Sequence, residues 1–157
     1  MSESTIRRFY EAFARLDGEA MQACYAADAR FDDEAFSLKG AREIGGMWRM
    51  LCSATRSNPA ALAHWKLEVS DITRSSAHWE AHYLFGPQGR RVHNRIDARF
   101  EFDAQGLITR HRDRFDFWAW ARQALGAPGL LLGWSPMLRN KVRATAAGNL
   151  RRFLDKA

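Results

Sequence analysis

The chain has 157 residues, 46% of them hydrophobic, and a formal net charge of +6. That length suits one domain with its own core, and the absence of any run of about 18 apolar residues leaves nothing to span a membrane. The opening MSESTIRRFYEAF lacks the pattern of a signal peptide, and the basic excess lies in the tail, where seven Lys or Arg face one acid between Trp118 and Ala157, so a solvated helix face is favoured over a nucleic-acid stripe.

Ile6, Phe9, Tyr10, Phe13 and Leu16 recur at helical spacing and predict an amphipathic helix over 4–16, with Ser4 as its N-cap. Asp17-Gly18 breaks it, and Asp17 caps a shorter helix that turns Ala20, Met21, Cys24 and Tyr25 inward. Arg30 to Asp33 reads as a short strand leading into a loop. Gly40 precedes a third helix carrying Ile44, Met47, Trp48 and Leu51, which must stop before Pro59. Cys24 and Cys52 fall at apolar helix positions and read as buried thiols in a reducing, cytoplasmic setting.

The period then changes from 3.6 to 2. Trp65, Leu67, Val69 and Ile72 mark one strand, with a slip of register near Ser70-Asp71. Ala77 to Phe85 mark another, and Gly86-Pro87-Gln88-Gly89 turns the chain. The clearest alternation follows: Val92, Asn94, Ile96, Ala98, Phe100 and Phe102 share one face, while His93, Arg95, Asp97, Arg99, Glu101 and Asp103 share the other. Asp103-Ala104-Gln105-Gly106 is a tight turn into a strand from Leu107 to about Asp116, which places His111 and Asp113 on one face. Helices followed by hairpin-linked strands imply an α+β fold with a mostly antiparallel sheet. Phe117 to Gly126 returns to helical spacing, Ala127-Pro128-Gly129 punctuates it, and a last helix runs from Ser135-Pro136 to Leu154.

The stretches YEAFARLDGEAMQACYAADARFDD, GAREIGGMWRML, HWEAHYLF and GRRVHNRIDARFEFDAQGLITRHRDRFDFW, in this order, resemble the nuclear transport factor 2-like superfamily in its SnoaL-like and ketosteroid-isomerase-related branch. The resemblance covers about residues 4–120. It implies a cone-shaped, curved antiparallel sheet wrapped around N-terminal helices, a deep apolar pocket, and a homodimer. The expected organisation is a cone domain over 1–120 with a C-terminal helical extension, 121–157, packed on the same domain. The resemblance also aligns Asp33 with the general-base aspartate of the isomerases. It aligns Asp113 with a catalytic aspartate of the SnoaL-like cyclases and related epoxide hydrolases. The isomerase tyrosine aligns with Phe9, and its second aspartate with Ala98. The hydrolase Arg and Asp align with Ala81 and Tyr83. Neither set of partners is complete.

The candidate catalytic residues are therefore Asp113, His111 and Asp33. Phe9, Phe13, Trp48, Trp79, Tyr83, Asn94 and Ala98 are the expected pocket wall. A carboxylate inside an apolar cone is costly to ionise, which suits it to moving protons near neutrality. His111 is equally readable as a core histidine, and Asn94 as a satisfied strand residue. His78, His82 and His93 share the outer parity and read as solvated or dimer-interface groups. No metal and no cofactor are expected. Two functions fit: proton-transfer chemistry on a small apolar substrate, or non-catalytic binding of a hydrophobic ligand. The outer face, alternating Arg95, Asp97, Arg99 and Glu101, is the expected dimer surface.

The tail carries Trp118, Leu125, Leu130, Leu131, Leu132, Trp134, Met137 and Leu138, more apolar surface than is expected to stay in water. An interfacial membrane helix wants a long continuous apolar face, and Gly126 to Gly133, with Pro128 and Pro136, interrupts it. The sequence therefore predicts a two-piece lid over 118–138, packed over or beside the pocket mouth and restricting access to it, with contact to a membrane surface as the less favoured alternative.

Overall fold

A computed structural model describes residues 2–156. The order is α1 (Ser2–Ala14), α2 (Gly18–Gln22), β1 (Tyr25–Asp32), β2 (Ser37–Lys39), α3 (Ala41–Arg56), α4 (Pro59–His64), β3 (Lys66–Ser70), β4 (Ser76–Phe85), β5 (Arg90–Phe102), β6 (Ile108–Arg114), α5 (Phe117–Leu125), α6 (Ala127–Leu132) and α7 (Pro136–Lys156). The six strands form one sheet in the order β2-β1-β6-β5-β4-β3. All its pairings are antiparallel except β1 with β6. The α+β cone expected from the change of period is what forms.

Alternation decides which face is covered. Along β5, Val92, Asn94, Ile96, Ala98 and Phe100 are buried, and Arg91, Arg95, Asp97, Arg99 and Glu101 are exposed. Ile6, Phe9, Tyr10 and Phe13 of α1 and Ile44, Met47 and Trp48 of α3 pack against the covered face in one continuous core. The β5–β6 register shifts opposite Thr109, between Glu101 and Phe102. This bulge lets Ile108 and His111 both face inward although they are three positions apart. Beyond it the strand is regular, so His111 and Asp113 share the inner face.

Several local expectations need correction. The first helix begins at Ser2, so Ser4 lies inside it rather than capping it. Tyr25 opens β1 instead of ending the second helix, because that helix stops at Gln22. Asp17 does cap the second helix, accepting from Ala20 N. Two short helices went unread: α4, capped by Asn58 at Ala60 N and Ala61 N, and α6.

The tail divides in a way the sequence did not show. Leu150 and Leu154 of α7 belong to the main core, and Gly46 of α3 allows the approach, since a Cβ there would lie 2.5 Å from Leu154 Cδ2. Phe117, Trp120, Ala121 and Ala124 of α5 cover Val92 as a second, smaller cluster. The remaining apolar residues are not buried as expected. Trp118, Leu130, Leu131, Leu132, Trp134 and Met137 all stay exposed. The reason is backbone packing: α6 folds onto α5 through Gly129 and Gly133, where any Cβ would overlap main-chain atoms, so its leucines point outward.

Candidate active site

Four side chains form a buried chain of hydrogen bonds across the interior. Trp48 Nε1 donates to Tyr25 Oη at 3.0 Å. Tyr25 Oη lies 2.7 Å from His111 Nδ1, and His111 Nε2 lies 2.8 Å from Asp113 Oδ1. Because Tyr25 accepts from the indole, its own proton is free to go to Nδ1. The imidazole proton then sits on Nε2 and is donated to Asp113. Trp79 Nε1 also points at Oδ1, at 3.5 Å. The His111 side chain is wholly buried and that of Asp113 is 2% exposed. A carboxylate this far from water needs such donors.

The elements explain the alignment. β6 supplies His111 and Asp113 two residues apart on one face. β1 runs parallel beside β6 and pairs Phe31 with His111. Tyr25 stands at the start of β1, and α3 crosses above to deliver Trp48. Phe9, Phe31 and Phe100 close around the imidazole, with ring centroids 5.6, 4.9 and 4.3 Å from it. These rings enclose the imidazole on several sides.

Asp33 is not part of this chain. It is partly buried, just beyond β1, and its Oδ1 accepts from Ala35 N at 2.7 Å and Phe36 N at 2.6 Å. Burial, followed by the charge of Asp113, pushes its carboxyl up to about 7 against the pull of those two N–H groups and of Arg143. It therefore shares an electrostatic environment with Asp113 without sharing a hydrogen-bond network.

The expected pocket wall is mostly solid core. Phe9, Phe13, Trp48, Trp79, Asn94 and Ala98 are buried, and Tyr83 is partly buried. Trp48 packs against Phe13 and Trp79 at centroid separations of 5.0 and 6.5 Å, so rings occupy the space that an open pocket would need. Two grooves lie elsewhere. One of about 910 Å³ runs over the outer sheet face past His78, Asp97, Arg99, Arg110 and Arg112. Another of about 330 Å³ separates the end of α3 from the β4–β5 turn.

Tyr83 marks the rim nearest the tail. Its hydroxyl accepts from Trp120 Nε1 of α5 at 2.9 Å. Burial and then the nearby Asp33 charge raise its pKa, opposed by that hydrogen bond. Arg143 of α7 donates to the carbonyls of Asp33 and Glu34 at 3.2 and 3.0 Å, and Arg139 pairs with Glu34 at 3.1 Å. The tail is thus fastened at this rim by α5 and α7.

Sequence reasoning missed three participants. Tyr25 read as one more apolar helix position, although its place at the start of a strand beside β6 is what brings it to His111. The indoles of Trp48 and Trp79 read as pocket wall, and their N–H groups carried no periodic signal. Tyr10, next to the Phe9 that aligns with the isomerase tyrosine, is buried as well. The Tyr10 hydroxyl has no partner among the described residues, and burial and then the Asp113 charge hold its proton tightly.

On the outer face, Glu80 lies 2.8 Å from His78 Nε2 and 2.6 Å from His93 Nε2, while Asp97 takes His78 Nδ1 at 2.8 Å. Among the described residues, no group of three or more His, Cys, Asp or Glu side chains could hold a metal ion. No helix among them is long and apolar enough to cross a membrane.

The pattern of the SnoaL-like domain matches residues 6–111 of the chain. Comparison with curated proteins gives no match. Among solved structures, the chain is similar to a candidate polyketide cyclase from Xanthomonas campestris pv. campestris, with 19% identity, a TM-score of 0.57, and coverage of 78% of this chain and 95% of that one. A second candidate polyketide cyclase, from a Silicibacter species, has 20% identity and a TM-score of 0.57, covering 78% and 94%. An LEH-like epoxide hydrolase from M. tuberculosis has 21% identity and a TM-score of 0.57, covering 83% and 92%. These likenesses establish the nuclear transport factor 2-like fold.

Proposed function

The chain belongs to the SnoaL-like domain family, and we propose that it is an acid–base enzyme acting on a small apolar substrate, of isomerase, cyclase, dehydratase or hydrolase type. The observation that carries this reading is the buried Asp113–His111 pair, held by Tyr25 and Trp48. Asp113 is the group that takes a proton from carbon or from an attacking water. His111 keeps the carboxylate oriented through its Nε2–H, which stays on the imidazole while Asp113 takes the substrate proton. Asp33, with a proton affinity near neutrality, is the second acid or base. An apolar molecule reaches Asp113 only by displacing some of the packed rings, which then supply its affinity and exclude water.

Entry requires movement at the rim. The Trp120–Tyr83 and Arg143–Asp33 contacts close it, so α5 and the first half of α7 act as the lid. The chain works as a homodimer through the outer sheet face. Arg99 stands directly opposite Arg112 there, a like-charge pair that costs stability until acids such as Asp97 or Glu101 of a second copy approach.

The second reading, a non-catalytic binder of a hydrophobic ligand, is favoured by one observation: the rings around His111 leave Asp113 almost no exposure. Mass spectrometry of molecules that co-purify, followed by a structure of the complex, separates the two. The enzyme reading expects a polar ligand atom within hydrogen-bond reach of Asp113. A ligand held only by Phe, Trp and Leu would leave the binder.

A further inference from the structure

We propose that α6 and the start of α7, together with Trp118 of α5, dock this protein peripherally on anionic lipid bilayers. Trp134, Met137 and Leu131 are 72%, 69% and 68% exposed, and Leu130, Trp118 and Leu132 surround them at 51%, 44% and 40%. A contiguous group of this kind on a soluble surface marks a contact site.

The tip is constructed rather than frayed. Gly129 lies against the carbonyl of Ala121, and Gly133 against Gly129 and Trp118, with no room for a side chain at either position. Gly126, at a φ of 72°, makes the reversal between α5 and α6. Both exposed indoles spend their N–H groups locally: Trp118 donates to Leu130 O at 3.1 Å and Trp134 to Leu131 O at 2.9 Å. The outward ring surfaces are therefore free of unmet hydrogen-bond donors and suited to the headgroup–acyl boundary. The glycines and prolines that rule out a continuous amphipathic helix are what build this compact apolar knob.

Charge selects the occupant. Between Phe117 and Leu154 there is no acidic residue; of the bases in that span, Arg139 and Arg143 turn to Glu34 and to the Asp33 and Glu34 carbonyls, while Arg122 and Lys141 flank the exposed apolar residues in sequence. Arg122 lies over Trp118 at 5.2 Å, at the edge of the knob, and Lys141 is exposed on the following turn of α7. Two copies meeting through this surface would set bases against bases. An anionic bilayer offers acyl chains to the knob and phosphates to its rim. The contact is interfacial, and no helix among the described residues is long and apolar enough to cross a membrane.

The test is co-sedimentation of the full chain with phosphatidylcholine vesicles and with vesicles containing roughly a third phosphatidylglycerol. Wild-type protein is expected to partition at least about tenfold more strongly onto the anionic vesicles, and Leu131→Asp to lower that partition by at least about tenfold with an unchanged melting curve. Arg122→Glu combined with Lys141→Glu is expected to weaken it similarly while leaving the knob intact. Absence of binding to anionic vesicles would overturn the proposal. So would equal partition of wild type and Leu131→Asp, or a self-association seen by light scattering that Leu131→Asp abolishes, which would assign the surface to a second copy.

Discussion

His111 Nε2 and Asp113 Oδ1 meet at 2.8 Å inside the sheet, two residues apart on a single strand. An i, i+2 pair normally shares a face with both side chains roughly parallel, so its meeting head-on depends on neighbours that lean one towards the other. Tyr25 holds the far nitrogen of the imidazole, and Trp79 approaches the carboxylate. The pair is therefore as sensitive to its supports as to its own members.

Tyr25→Phe removes the hydroxyl shared by Trp48 and His111. Two buried groups then lose a partner, and the fold is expected to lose about 1–3 kcal/mol for each group left unsatisfied. Urea denaturation measures the loss, and nitrogen NMR of His111 should show the tautomer no longer fixed. An unchanged midpoint would mean that the chain of hydrogen bonds carries no stability.

Asp33 gives a pH signature. Its carboxyl is raised from the ordinary aspartate value to about 7, so the folded state binds the extra proton and stability falls as pH rises through that interval. The contribution is complete in acid below the unfolded pKa and gone above about 7. Asp33→Asn keeps the acceptor for Ala35 and Phe36 and removes the charge. It is expected to raise the melting temperature at about pH 8 and to give little difference at about pH 4. A stability difference that does not vary with pH would contradict this.

The tail is expected to be structural at its far end. Leu150→Ala or Leu154→Ala opens a hole beside Gly46 and should cost about 2–5 kcal/mol in denaturant titration. Met137→Ala, at an exposed position, is expected to change stability by less than about 0.5 kcal/mol. If the leucine variants behave like Met137→Ala, the packing of α7 on α3 is not what fixes the tail.

The proposed dimer through the outer sheet face predicts salt sensitivity. Light scattering at micromolar concentration is expected to give twice the monomer mass. Reversing Arg112 and Arg99 to Glu together should shift that equilibrium toward monomer. A wild-type monomer would remove the dimer from the account.

Much of the fold was legible because alternation and helical spacing are strong wherever one face is covered. Val92 to Phe102 announced a half-buried strand, and the positions of His111 and Asp113 followed from it. The network around them was less legible, since Tyr25 and Trp48 meet His111 through a parallel pairing and a helix crossing that no local pattern encodes. Asp33 reads in the sequence as the last residue of a strand, whereas β1 ends at Asp32 and the Asp33 side chain turns to its own loop, where Ala35 and Phe36 present their N–H groups. The tail misled for a different reason. Counting its leucines predicted burial, whereas Gly129 and Gly133 let backbone rather than side chains make the contact.

The most direct measurement is deuterium exchange α to the carbonyl of apolar cyclic ketones, followed by proton NMR with wild-type protein and with Asp113→Asn. The substitution preserves shape and keeps an acceptor for His111 Nε2–H. The account expects wild-type exchange above the buffer rate and a fall of about 10²–10⁴-fold in the variant, with its melting temperature little changed. Exchange at the same rate in both proteins would contradict the assignment of the proton to Asp113.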